Sequence, residues 1–309
     1  MNTTDDQGSV TEQVLFEEIL NDEANISDLR TEELVDQNTS RKSETLYGLT
    51  LDSTEDLAET LDALRAFEKR VTTRIVFDEY IPASVYQEAV EKIRLYSDVM
   101  GELFDSEYIP LYSLEGYKQR VDEYLETLGD DVTLWEIGNE INGEWTGDPQ
   151  EVAEKTLYAY QAVKQKGYQT ALTLYYNDYS DNEKCWLYPE EKMRFWVDKY
   201  LDAELKENID YLFVSYYEED CNDHRPSLEE WNEVFDDLGE KFPNAKLGFG
   251  EVGISDSSMK AAYLQHYYTM DINHSRYVGG YFWWYGKQDM VPKTKPLWNT
   301  LNNILTMSE

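Results

Sequence analysis

The chain has 309 residues, with 63 Asp and Glu against 27 Lys and Arg, a formal net charge of −36 at pH 7. A field of that sign repels polyanions, which excludes nucleic acid and anionic membrane surfaces and disfavours an acidic glycan such as pectate. No stretch approaches the roughly 20 apolar residues of a membrane span, and the acidity reads either as a strongly solvated surface or as adaptation to high salt, where screening relieves self-repulsion.

Residues 1–43 are acidic and poor in aromatics. Leu15, Phe16, Ile19, Ile26, Leu29 and Leu34 give only weak helical periodicity. This segment reads as a disordered or loosely helical extension ahead of a catalytic domain over 44–309. Its first residues lack a basic region followed by an apolar one, so no signal peptide is legible.

From residue 46 a regular alternation begins. Leu46–Leu51 reads as a strand, and Ser53-Thr-Glu-Asp as the start of a helix carrying Leu57, Leu61, Leu64 and Phe67. Thr73–Phe77 is a second strand, and Pro82 opens a helix through Ile93. Residues 96–104 give a third strand, followed by a helix from about 114 to 128. Val132–Ile137 is the fourth strand, running through Gly138 into Asn139 and Glu140. Pro149 begins the next helix, which stops at Gly167. Thr170–Tyr175, Ile209–Ser215, Ala245–Gly250 and Val278–Trp284 are strands five to eight. Helices are expected around 193–205, from Pro226 to about 241, after Ser255, and over 296–305.

Eight strands alternating with helices predict a parallel (β/α)8 barrel of the α/β class. A doubly wound open sheet fits less well, because no Gly-x-Gly-x-x-Gly follows the first strand. In a barrel, the C-terminal strand ends form one face and carry the site. Two strands here end on an acid beside glycine: Glu140 after strand four and Glu251 after strand seven. A barrel of about 250 residues allots roughly 31 to each unit, so these strands should lie roughly 95 apart. The two acids are 111 apart (251 − 140), with a long loop after strand five absorbing the excess. Two facing carboxylates suit glycoside hydrolysis. A separation of about 5–5.5 Å implies retention, and roughly 6.5–9.5 Å leaves room for water and implies inversion.

Trp135-Glu-Ile-Gly-Asn-Glu140 resembles the strand-four motif of the clan of (β/α)8-barrel retaining glycoside hydrolases with catalytic Glu on strands four and seven, which includes cellulase-, mannanase- and galactanase-like families. The resemblance covers the barrel and not the extension. It implies that Glu140 is the acid/base, Glu251 the nucleophile and Asn139 a ligand of the sugar 2-hydroxyl. It also implies that Arg74 on strand two supports the nucleophile, and that Tyr217 bonds Glu251 and holds its pKa down. A tryptophan at the end of strand eight, Trp284 in preference to Trp283, would form a platform under the sugar. Trp145, Tyr176 and Trp186 in the loops are candidate stacking surfaces, because an aromatic ring offers a flat apolar face. Asp52, Asp78, Glu79, Glu102, Asn177 and Asp178 sit near strand ends as candidate hydroxyl-binding or plain loop residues.

The sequence also departs from the clan. Histidines that several families carry after strand three and on strand six are replaced by Gly101-Glu-Leu-Phe-Asp105 and by Ser215, and none of His224, His266 and His274 ends a strand.

The expected activity is double-displacement hydrolysis of a neutral β-linked glycan by a monomer, without metal or other cofactor. The alternative is a barrel that binds glycan without cleaving it. Cys185 and Cys221 lie in the loops after strands five and six, which a barrel sets side by side, so a disulfide between them is expected. Such a bond favours an extracellular enzyme whose leader has been removed.

Overall fold

The computed structural model describes residues 45–178 and 192–307. The 1–43 extension, Cys185 and Trp186 lie outside them. Eight strands run β1 (Leu46–Leu51), β2 (Thr72–Val76), β3 (Asp98–Glu102), β4 (Leu134–Glu136), β5 (Gln169–Tyr175), β6 (Tyr211–Tyr216), β7 (Lys246–Val252) and β8 (Tyr277–Trp283). Each pairs in parallel with the next, and β8 returns to β1, so the sheet is a closed barrel in chain order. The expected (β/α)8 architecture is the observed one.

The outer layer shows why these residues form helices. Leu228–Lys241 starts at Ser227, whose hydroxyl accepts from Glu230 N while the Glu230 carboxylate accepts from Ser227 N. Losing such a cap costs about 1 kcal/mol. Trp231, Val234, Phe235 and Leu238 then recur at helical spacing and are buried. Trp231 and Phe235 meet Phe249 of β7 edge-on, with ring centroids 4.8 and 5.3 Å apart. Residues like Phe249 therefore point out of the barrel into the helix layer.

Two helices differ from expectation. The segment after residue 192 forms two helices, Met193–Tyr200 and Ala203–Asn208, because Asp202 leaves the helix and caps the second one. The helix after β7 begins at Lys260, since Ser255 donates its N–H and hydroxyl to Glu219 of the neighbouring loop instead of capping. A short helix at Gly286–Met290 was not expected at all.

Alternation along the strands builds the barrel interior in layers. Met100, Leu134, Ala171, Phe213, Val278 and Phe282 form an apolar cluster separate from the barrel–helix core. They make the floor. Two residues further along the same strands stand Glu102, Glu136, Thr173 and Ser215, all fully buried. The inner face thus changes from apolar to polar within one pleat.

The seventh strand would break this pattern without a device. Its pairing with β6 shifts between Val214↔Phe249 and Ser215↔Glu251, leaving Gly250 as the extra residue. A bulge adds one residue and re-aims the next side chain. Phe249 faces the helices, yet Glu251 faces inward with Ser215. Only glycine fits at 250, because a Cβ there would lie 2.6 Å from both Phe213 Cβ and Thr173 Oγ1.

Candidate active site

The fourth strand ends in a tight turn. Glu140 adopts φ 45°, in the left-handed region that a glutamate rarely occupies. The turn closes through Gly143 N donating to Glu140 O at 2.8 Å. Asn142 fixes it to β5: its Nδ2 donates to Tyr175 O and its Oδ1 accepts from Tyr175 N, both at 2.8 Å. Backbone strain of this kind persists only where the surroundings over-determine it, and it concentrates at functional sites.

Glu140 is 7% and Glu251 5% exposed, yet their surroundings differ in kind. Glu140 Oε1 accepts from the Ser215 hydroxyl and Oε2 from the Ser106 hydroxyl. Burial and then the charge on Glu251 push its carboxyl well above the usual range, against the smaller pull of the two serines. Glu251 Oε2 accepts from Arg74 Nη1 at 2.8 Å and Oε1 from Tyr217 Oη at 2.7 Å. Burial pushes Glu251 up to about 7, while Arg74 and the Tyr217 hydrogen bond pull it back. The expected downward pull of Tyr217 is therefore present, but desolvation outweighs it. Tyr217 itself keeps its proton, since burial and the two glutamates raise it well above its ordinary value.

Arg74 is fully buried and holds more than Glu251. Its Nε donates to Glu136 Oε2 at 2.6 Å, and its Nη2 lies 3.0 Å from Glu102 Oε1. Glu136 also accepts from the Thr173 hydroxyl. One guanidinium thus joins β2 to β3, β4 and, across the barrel, β7. Burial weighs against the cation, the carboxyls around it outweigh burial, and its pKa stays well above the usual value.

The remaining sequence candidates divide. Trp284 follows β8 and its ring faces Arg74, with the guanidinium 5.8 Å from the centroid. Trp283 is fully buried, and its Nε1 donates to Asp289 at 2.9 Å, so it belongs to the layer outside the barrel. Asn139 is buried beside Glu140, and its Oδ1 has no hydrogen-bond partner among the described residues. Trp145 is 38% exposed and stands edge-on to Tyr175. Tyr176 is buried against Tyr216 and Trp231. Asn177 is fully buried and accepts from Met193 N at 2.6 Å, at the start of a helix. Asp178 pairs with Arg194, and Asp78 accepts from Tyr86. Asn177, Asp178 and Asp78 therefore hold the frame.

Glu136, Ser106 and the bonding role of Ser215 were missed by sequence reasoning. The usable signal was alternation: Glu136 and Ser215 each stand two residues beyond an inward apolar residue. Ser106 has no such signal, because it lies in the loop after β3. Cys221 is buried and is not a free thiol. Its expected partner Cys185 lies outside the described residues.

No family model matches the sequence, and no curated protein matches it. Among solved structures the fold is similar to Saccharomyces cerevisiae Gas2p in complex with laminaritriose and laminaritetraose, at 12% identity and a TM-score of 0.52, over 86% of this chain and 65% of that one. The chain thus spans a little under two thirds of the Gas2p chain. It is also similar to a GH18 chitinase from Pseudoalteromonas aurantia, at 12% identity and a TM-score of 0.54, over 84% of this chain and 100% of that one. At these identities the likeness is one of fold. No helix among the described residues is long and apolar enough to cross a membrane.

Proposed function

We propose that the protein is a retaining glycoside hydrolase acting on a neutral β-linked glycan. The observation that carries this reading is the unequal environment of two buried carboxyls at one barrel mouth. Glu251 accepts from a cation and a phenol, and both favour its ionised form. Among the described residues Glu140 accepts only from neutral hydroxyls, and burial and the charge on Glu251 push its carboxyl well above the usual range. Environments that drive two titratable groups apart assign the acid and the base.

In this scheme Glu140 begins protonated and gives its proton to the glycosidic oxygen as that bond breaks. Glu251 attacks the anomeric carbon and forms an ester to the sugar. Its negative charge is then lost, so the charge raising Glu140 disappears. Glu140, now ionised, takes a proton from water, and the resulting hydroxide displaces Glu251 from the sugar. Arg74 and Tyr217 hold Glu251 in position through both steps, and Trp284 would offer its ring as a stacking surface for the sugar.

A glycan ligand would give the Oδ1 of Asn139 a donor that the described residues do not supply. A buried acceptor left without a donor costs about 1–3 kcal/mol, and a sugar hydroxyl would satisfy it. The fold neighbours add weight: one was solved with laminari-oligosaccharides and another is a chitinase. A polysaccharide substrate also suits an extracellular location and a monomer.

The test is a panel of neutral β-glucans, β-mannans, β-galactans and chitin, together with aryl β-glycosides. The anomer first released is read by proton NMR. The β-anomer supports retention, and the α-anomer would replace it with inversion. Binding without release of any sugar would instead favour a non-catalytic glycan-binding barrel.

A further inference from the structure

One buried carboxyl that the proposed reaction leaves unused is Glu102. It is fully buried at the end of β3, between the strands carrying Arg74 and Glu136, with Val76↔Glu102 and Glu102↔Glu136 as pairing partners. Three carboxyls therefore surround one guanidinium in the buried interior. Three charges against one would leave two uncompensated, and each uncompensated buried ion costs several kcal/mol.

The hydrogen bonds decide which carboxyl gives way. Glu136 accepts from Arg74 Nε and from Thr173. Glu251 accepts from Arg74 Nη1 and from Tyr217. Glu102 has only the 3.0 Å approach of Arg74 Nη2, which is not aligned as a hydrogen bond. Neither of its oxygens has a hydrogen-bond partner among the described residues.

We propose that Glu102 is a positioning residue for the nucleophile, a neutral carboxylic acid that braces the third arm of Arg74 and leaves the guanidinium charge to Glu136 and Glu251. This rests on the reading of Glu251 as nucleophile. The groups facing Glu102 agree with it. Burial raises its carboxyl well above the usual range. Arg74 from β2 opposes this, whereas Glu136 from β4, Asp105 from the loop after β3 and Glu251 from β7 push it further up. An ionised Glu102 would compete for Arg74 and add a negative charge near Glu251, which would raise the pH needed to ionise the nucleophile.

The test compares Glu102→Ala and Glu102→Gln with the parent on an activated aryl β-glycoside, whose departure needs no proton. Ala removes the brace, and kcat/KM is expected to fall roughly 100-fold, the scale of a small misplacement at a reacting centre. Gln keeps the shape without a charge, so it should restore most of that loss. Its acidic limb of kcat/KM should coincide with the parental one. A parental rate in Glu102→Ala would overturn the proposal. So would a Gln limb displaced downward by about one unit or more, since that displacement means a negative charge was removed.

Infrared spectra of the parent and Glu102→Gln provide a readout that needs no turnover. The parent at neutral pH should show the carbonyl band of a weakly bonded carboxylic acid that the Gln variant lacks. Identical spectra in that region would defeat the neutral-acid assignment even if no glycoside were cleaved. A band difference in a protein that cleaves nothing would uphold the neutral acid and reject only the hydrolase reading. Should Glu102→Ala fail to fold, the Gln limb and the spectra still decide the matter.

Discussion

The two sides of the barrel mouth solve opposite problems with the same residue type. On the β7 side, Glu251 meets a guanidinium and a phenol, both of which favour a carboxylate. On the β4 side, Glu140 meets two serine hydroxyls and, among the described residues, no cation. Burial raises both groups, but the compensation differs. Glu251 is pulled back to about 7, and Glu140 remains well above the usual range. The difference lies in the strands that supply the neighbours, since the two residues are both glutamates.

The largest expected effect removes one side altogether. Glu251→Ala and Glu251→Gln should each lower kcat by roughly 10⁴-fold or more on every substrate, as loss of a covalent nucleophile does. A fluoro-sugar that traps the intermediate should label Glu251, as peptide mapping would show. A label on any other residue would end the assignment of the two sides.

Next comes the acid side. Glu140→Ala should slow substrates with poor leaving groups by roughly 10²–10⁴-fold and spare activated aryl glycosides in the bond-breaking step, because only the former need protonation. Azide should then rescue activated substrates, giving a β-glycosyl azide detectable by NMR. Equal losses on both substrate types would remove the contrast between the two carboxyls.

A smaller change blurs the comparison from the β7 side. Tyr217→Phe deletes a donor to the ionised form of Glu251, so the carboxyl should rise further above about 7. The acidic limb of kcat/KM must then move to higher pH, with the rate at the optimum falling roughly 10-fold. A limb that stayed in place or moved to lower pH would show that the hydroxyl does not act on Glu251.

The smallest effect belongs to Ser215→Ala. Ser215 pulls Glu140 downward, so its loss should raise the acid further and move the alkaline limb to higher pH by less than about one unit. The acidic limb should stay where it is. A shift confined to the acidic limb would mean that Ser215 serves the other carboxyl.

Much of the architecture is legible in the amino-acid sequence. Apolar runs ending in Gly, Asn or Asp, alternating with helical stripes, place all eight strands, and Asn139, Glu140 and Glu251 stand out because polar residues crowd beside glycine at strand ends. These signals are local, since strand alternation and helix periodicity are written into neighbouring residues. Helix starts are less legible. Ser255 looks like a cap, yet Glu219 from another loop takes its donors.

Sequence alone determined that this chain closes eight strand–helix units and presents two acids at strand ends. The tertiary structure decided what surrounds those acids. Which inward side chains meet depends on barrel closure and on the stagger between strands, and neither is encoded within one strand. Arg74 reaches Glu251 only because β2 and β7 face each other across the barrel, and Trp284 rather than Trp283 reaches the site because of the pleat at the end of β8. Glu251 points inward because one extra residue, Gly250, turns it there. The unlike environments of Glu251 and Glu140 are assembled from β2, β3, β4, β6 and β7, so no local stretch of sequence contains them.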